Sequence, residues 1–303
     1  MSLRHWLIPA AALVAAGGAV AWWLTAPDPI DPSEVAGWSP SPEAAARGER
    51  LFHLGSCVSC HAAPGAEGEA TLALAGGRAF PTEFGTFHAP NISQDPDAGI
   101  GAWTPDQFAS AFLRGVGARG EHLYPAFPWP SYSRMELSDA LDLWAYLKTL
   151  PADPTPSKPH DVGFPFSIRA AIGGWKLLYL KPEPVIAGLS GEAEAGRRLV
   201  EGIGHCGECH TPRDALGGPD YAAWLGGGPN PDGEGRIPNI TPSSAGIGDW
   251  SASDIAYYLE SGFTPDYDSA GGGMAAVVAE TAKLPPEDRA AIAAYLKAVP
   301  PVE

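Results

Sequence analysis

The sequence predicts an all-α chain: two tandem helical units with long loops, preceded by one N-terminal transmembrane helix. Two pentads, "CVSCH" at 57–61 and "CGECH" at 206–210, use every cysteine in the 303 residues. Blocks around the pentads recur at a nearly constant offset, the mark of a duplicated unit. An uncharged run of 19 residues, Trp6 to Leu24, precedes both copies.

A chain of this length, 45% hydrophobic and 18% charged, is large enough to bury two domain-sized cores. Its 37 Gly and 32 Pro argue for many loops, and 29 aromatic residues (10 Trp, 9 Tyr, 10 Phe) supply the bulk to hold them. Nineteen basic against 35 acidic residues give a net charge of −16, which opposes binding to nucleic acid and suits a basic protein partner.

Residues 1–26 read as a transmembrane anchor or a signal segment. The run from Trp6 to Leu24 approaches the roughly 20 residues needed to cross a bilayer. Arg4 before it and Asp28 and Asp31 after it send the remainder across the membrane, and Trp22 and Trp23 suit an interfacial belt. The small residues of "ALVAAGGAVA" also fit a cleaved signal peptide; either reading exports the rest.

Residues 27–40 are Pro-rich and read as an extended tether. The first unit, 41–151, opens at Ser41, a cap for a helix carrying Leu51 and Phe52 into the first pentad, and closes with "SDALDLWAYLKTLP". Residues 152–188 form a connector with an apolar middle that should pack. The second unit, 189–303, repeats the order, from "SGEAEAGRRLVEGIGHC" to the helix "PPEDRAAIAAYLKAVPP". Cys57 to Cys206 and Tyr146 to Tyr295 are both 149 positions, and "PNIS…GIGAW" returns as "PNIT…GIGDW".

C-x-x-C-H is the attachment signature of c-type haem: two thiols one helical turn apart reach two vinyl groups, and the adjacent histidine lies under the iron. A thioredoxin-like pair needs no histidine and expects a βαβ context, and a four-cysteine zinc site needs pairs close enough to share a metal. Disulfides leave His61 and His210 without a purpose. The expectation is two covalently bound haem c groups, on Cys57 and Cys60 and on Cys206 and Cys209, with His61 and His210 as iron ligands.

Methionine is the sixth ligand to look for in an electron carrier. Apart from Met1 the chain has Met135 and Met274, one in each unit between pentad and closing helix. Met135 lies 11 residues before Tyr146 and Met274 lies 21 before Tyr295, so the two ligand loops differ. His88, His122 and His160 are the rival ligands; His53 and His205 sit beside the pentads. Gly48 and Gly196 are placed to let a closing helix cross near, with Trp144, Tyr146 and Tyr295 around it. The carbonyls of Pro90 and Pro238 are candidates to accept the proximal histidine's N–H, or the prolines only make turns. Trp103 and Trp250 pack on a porphyrin edge or fill core.

From about residue 41 to 301 the chain resembles the diheme and multiheme cytochrome c subunits of bacterial membrane-bound alcohol, gluconate and related dehydrogenases. The blocks that carry the resemblance include "LYPAFPWPSYSRM", "FPFSIRAAIGGWKLLYL", "GHCGECHTPRD" and "GGGMAAVVAETAKL". The resemblance implies two tandem class I-like cytochrome c domains, with Met135 and Met274 ligating the irons. The implied function is electron relay from a dehydrogenase to quinone, a soluble cytochrome or a terminal oxidase, with no catalytic site of its own. It also implies the periplasmic side of the bacterial inner membrane, with the N-terminal helix as anchor. The alternative is a catalytic diheme enzyme, peroxidase-like or thiosulfate-oxidising, with one open or labile haem; a purely assembly role is a third reading.

Overall fold

The computed structural model describes residues 4–230 and 235–303. Its architecture follows from two helix crossings. In the first unit α2 (Pro42–Leu54) is capped by Ser41, whose Oγ accepts the amide of Ala44 at 3.1 Å, and it crosses α6 (Leu137–Leu147). A Cβ on Gly48 would lie 2.0 Å from the Asp142 carbonyl oxygen, so only glycine permits the approach. The second unit repeats this with α8 (Gly191–Glu201) and α12 (Pro286–Ala298), where a Cβ on Gly196 would lie 1.9 Å from the Ala291 carbonyl oxygen.

Each crossing positions the turn that follows. In the first unit this is α3 (Cys57–His61), followed by the hairpin β1 (Ala79–Thr82) and β2 (Gly85–His88), then α4 (Pro105–Arg114) and α5 (Trp129–Tyr132). The connector carries α7 (Ala171–Tyr179). The second unit holds α9 (Gly207–His210), the short ladder β3 (Gly228–Pro229) with β4 (Arg236–Ile237), α10 (Ala252–Ser261) and α11 (Gly273–Thr281). The ladders are antiparallel and too short to show an alternating pattern in sequence. Helix α6 is capped by Glu136, paired with Asp139.

Phe52, Phe108, Phe112, Leu143 and Trp144 of the first unit share one continuous core with Val200, Ile203, Trp224, Ile292 and Tyr295 of the second. The connector is tied to that core by Glu201, fully buried, whose carboxylate accepts the amides of Val185 and Ile186 at 2.7 and 2.9 Å. Residues 27–40 are also seated: Ile30 and Val35 are buried with Ala109 and Leu141, and the Ile30 amide donates to Ser110 Oγ at 2.9 Å.

The expectation of an N-terminal transmembrane helix is corrected. Helix α1 covers Arg4–Thr25, but among the described residues no helix is long and apolar enough to cross a membrane. From Ala15 to Ala21 the run is alanine and glycine with one valine, side chains that offer little hydrocarbon to a bilayer. The end of α1 is instead held by protein: the Thr25 carbonyl accepts His122 Nε2 at 2.9 Å and lies against Gly173 of α7.

Candidate metal centres

Both pentads are wound into a helical turn by the same local device. The residue before each first cysteine, Ser56 or His205, takes a left-handed backbone conformation (φ 47° and 39°) that turns the chain out of the leading helix. The amides of Ser59 and Glu208 then donate to the carbonyls of Ser56 and His205, both at 2.9 Å, starting α3 and α9. Three residues is almost one turn, so both thiols of a pair point to one side.

The histidines end these turns with their rings held. His61 Nδ1 lies 2.9 Å from the Pro90 carbonyl oxygen, and His210 Nδ1 lies 2.8 Å from that of Pro238. A carbonyl can only accept, so Nδ1 carries the proton and Nε2 keeps its lone pair for a metal. Burial pushes both imidazoles below their ordinary pKa, against the raising effect of the carbonyl bond, which keeps them neutral. Burial likewise pushes the Cys57 and Cys206 thiols up to about 12, so they are protonated rather than thiolate.

Asn91 and Asn239 hold the two accepting carbonyls, and sequence reasoning missed them. Asn91 Oδ1 accepts the Ser93 amide at 2.8 Å while Nδ2 donates to the carbonyls of Asp153 and Thr155. Asn239 does the same with the Thr241 amide and the Val302 carbonyl. The signal was present: each asparagine follows its proline in both copies of the "PNI" block. Further symmetry closes the loops, with the amides of Gly76 and Gly227 donating to the His61 and His210 carbonyls at 2.7 Å.

The methionines are placed differently. Met135 ends a turn after α5, its amide donating to the Tyr132 carbonyl, and it packs on the core; the residue 149 positions on is the buried Leu284. Met274 lies in the first turn of α11 and is half-buried. The rival histidines lie near one another, where the connector and the end of α1 meet the first unit. His160 Nδ1 accepts the His88 amide at 3.1 Å, and His122 Nε2 donates to Thr25. His53 is bound to Glu280, and His205 Nε2 faces the Gly55 carbonyl at 3.3 Å. Trp103 and Trp250 both pack half-buried against the core.

The segments leading into the two pentads meet across the boundary between units. A Cβ on Gly55 would touch Ile203 Cδ1 at 3.0 Å, and one on Gly204 would touch Leu54 Cδ1 at 3.4 Å, a reciprocal contact of equivalent positions. Tyr132 packs edge-on against His205, 5.8 Å between ring centroids. Burial raises its phenol strongly, with lesser contributions from Cys57, Cys60 and Glu208.

Two histidines each with one committed nitrogen, each beside a pair of thiols in a turn, form the donor set of a two-centre c-type haem protein. The chain belongs to the cytochrome c family: the family model described as Cytochrome c matches residues 45–151 and 193–300. A diheme cytochrome c-type protein of Cereibacter sphaeroides is 55% identical over 302 residues, covering 99% of this chain and 100% of that protein. The fructose dehydrogenase cytochrome subunit of Gluconobacter japonicus is 37% identical over 278 residues, 90% of this chain and 55% of that protein. The gluconate 2-dehydrogenase cytochrome c subunit of Pantoea cypripedii is 34% identical over 272 residues, 84% and 59% respectively. The chain thus spans a little over half the length of these two dehydrogenase subunits. It carries two covalently bound haem c groups, and its chemistry is electron transfer.

Proposed function

We propose that this protein takes electrons from a dehydrogenase partner and passes them through two haems to quinone, a soluble cytochrome or a terminal oxidase on the periplasmic side. Haem c supplies a one-electron couple at iron; the chain supplies ligands, a dry surrounding and docking surfaces. His61 and His210 present Nε2 from rings that the Pro90 and Pro238 carbonyls prevent from turning. Met135 and Met274 would supply thioether ligands to the two irons, and His/Met ligation favours a more positive potential than paired histidines. The single observation that carries relay rather than two isolated centres is the reciprocal packing of Gly55 on Ile203 and Gly204 on Leu54, which joins the segments leading into the two pentads.

Relatives named as cytochrome subunits of fructose and gluconate dehydrogenases support a dehydrogenase as donor. The uncharged stretch behind Arg4 supports export. The deciding experiment is a reduced-minus-oxidised spectrum of the purified holoprotein, including the near-infrared thioether-to-iron band, for the parent chain, Met135→Ala and Met274→Ala. Each variant should lose about half of the band. A band untouched by both substitutions overturns the axial assignment, and peroxide turnover by the parent chain overturns relay in favour of a catalytic diheme enzyme.

A further inference from the structure

Two arginines one turn apart on α2 serve different units. Arg47 binds Asp142 within its own unit, with Nε and Nη2 at 2.6 and 2.7 Å from the two carboxylate oxygens. Arg50 reaches out and forms the same two-point ion pair with Asp288, in the first turn of α12 in the second unit. Beyond it on the same helix, His53 Nδ1 donates to Glu280 Oε2 at 2.6 Å, and Lys283 reaches the other oxygen at 2.8 Å. Glu280 is near the end of α11, the helix that carries Met274 in its first turn.

The reverse arrangement holds Met135. Ser131 of the first unit donates to Glu208 Oε1, inside the second pentad, at 2.6 Å. Arg198 of α8 binds Glu136, the residue after Met135, at 2.7 Å, and a Cβ on Gly202 would lie 3.0 Å from Met135 Cγ. Burial decides which contacts matter. Asp288 and Glu280 side chains are 3% and 7% exposed, so losing a partner leaves a carboxylate uncompensated in the interior. Arg198 and Glu136 are 60% and 63% exposed, a pair that water screens, so Met135 is placed by the packing at Gly202.

We propose that each unit positions the other's sixth-ligand loop: Arg50 and His53 of the first unit seat Met274, and Gly202 and Glu208 of the second seat Met135. The two haem potentials are then not independent properties of two domains. This inference rests on the methionine assignment proposed above. These are positioning residues, since they act on the iron only through the methionine.

The test is a redox titration of the full-length holoprotein with the near-infrared band recorded alongside. Met135→Ala and Met274→Ala first assign each potential to a unit; if neither disturbs the band, the ligand assignment fails and this inference with it. With the assignment in hand, Arg50→Ala should weaken thioether binding in the second unit about tenfold more in the reduced than in the oxidised state, lowering that potential by about 59 mV for a one-electron couple and leaving the other in place. Arg50→Lys should recover part of the shift. Arg47→Ala, which breaks the neighbouring ion pair inside the first unit, should leave the second haem unmoved. Gly202→Val should lower the first haem's potential. Should Arg50→Ala fail to fold, Glu280→Gln, which keeps the side chain's size and removes its charge, should shift the second haem in the same direction. Arg50→Ala altering only the first haem, Gly202→Val altering only the second, or either leaving both haems unmoved overturns the inference.

Discussion

The carbonyl of Pro90 accepts the Nδ1 proton of His61 at 2.9 Å, and the next residue, Asn91, keeps that carbonyl in place. Asn91 is 2% exposed and joins three backbone groups, so Asn91→Ala strands them in the interior. The expected loss is about 1–3 kcal/mol of stability by denaturant titration of the holoprotein. Freed from its carbonyl, His61 should also bind iron less rigidly, and the first haem's potential should shift more than the second's. Equal shifts at both haems would count against the local role.

The glycines at the helix crossings make a matched pair of predictions. A methyl group at Gly48 or Gly196 meets a backbone carbonyl at about half the normal contact distance, and backbone cannot rotate aside. Gly48→Ala and Gly196→Ala should each cost about 1–3 kcal/mol or more through overpacking, read as a lower Tm. A neutral result at either position contradicts the crossing described here.

Tyr295 sits in a buried chain of polar groups: its hydroxyl donates to Glu201 at 2.7 Å and accepts from Trp224 Nε1 at 2.9 Å. Burial, then the Glu201 charge, push this phenol far above its usual range. Tyr295→Phe should cost about 1–3 kcal/mol by leaving both partners short of a bond. Glu201→Ala should cost about 3–5 kcal/mol, because Arg197 loses its neighbour and the connector amides of Val185 and Ile186 lose their acceptor. Limited proteolysis should then cut first in the connector.

Acid should loosen the boundary between units. Burial alone raises the Glu280 pKa, but the bonds from His53 and Lys283 outweigh it and hold the carboxyl below its usual 4.5. The unfolded chain therefore takes up this proton before the native one does. The contact's contribution is complete above about pH 4.5 and is lost as pH falls through the lowered native value. Thermal melts from about pH 6 to about pH 3 should show a steeper decline for the parent chain than for Glu280→Gln. Parallel curves would refute the coupling.

Haem stoichiometry supplies the simplest check. Replacing Cys57 and Cys60 with alanine should leave one covalent haem per chain by alkaline pyridine spectroscopy, as should replacing Cys206 and Cys209. Retention of both haems in either double variant would exclude the pentads as the attachment points.

Much of each site was legible in the linear order of residues. A pentad places two thiols and an imidazole within one helical turn, and that geometry depends only on near neighbours. The 149-residue offset exposed the duplication, and the paired glycines and prolines could be assigned roles because each occurred twice in the same place. The membrane helix was overread: a run without charges is not thereby rich in hydrocarbon when small residues compose much of it. The packing of the extended proline-rich segment at 27–40 was not legible, because Ile30 and Val35 are isolated apolar residues whose receiving surface, at Ala109 and Leu141, is formed far along the chain.

By itself, then, the sequence determined the haem chemistry, the number of centres and the helices that frame them, because bonding partners in a turn are chosen by residues a few positions apart. Only the tertiary structure decided that Arg47 closes its own unit while Arg50 crosses to Asp288, 238 positions away. Both arginines lie on one helix with like local surroundings, so no periodicity separates them. What separates them is which surface faces each after the two units dock, a matter of shape and buried charge between residues that the chain brings together only once it is folded.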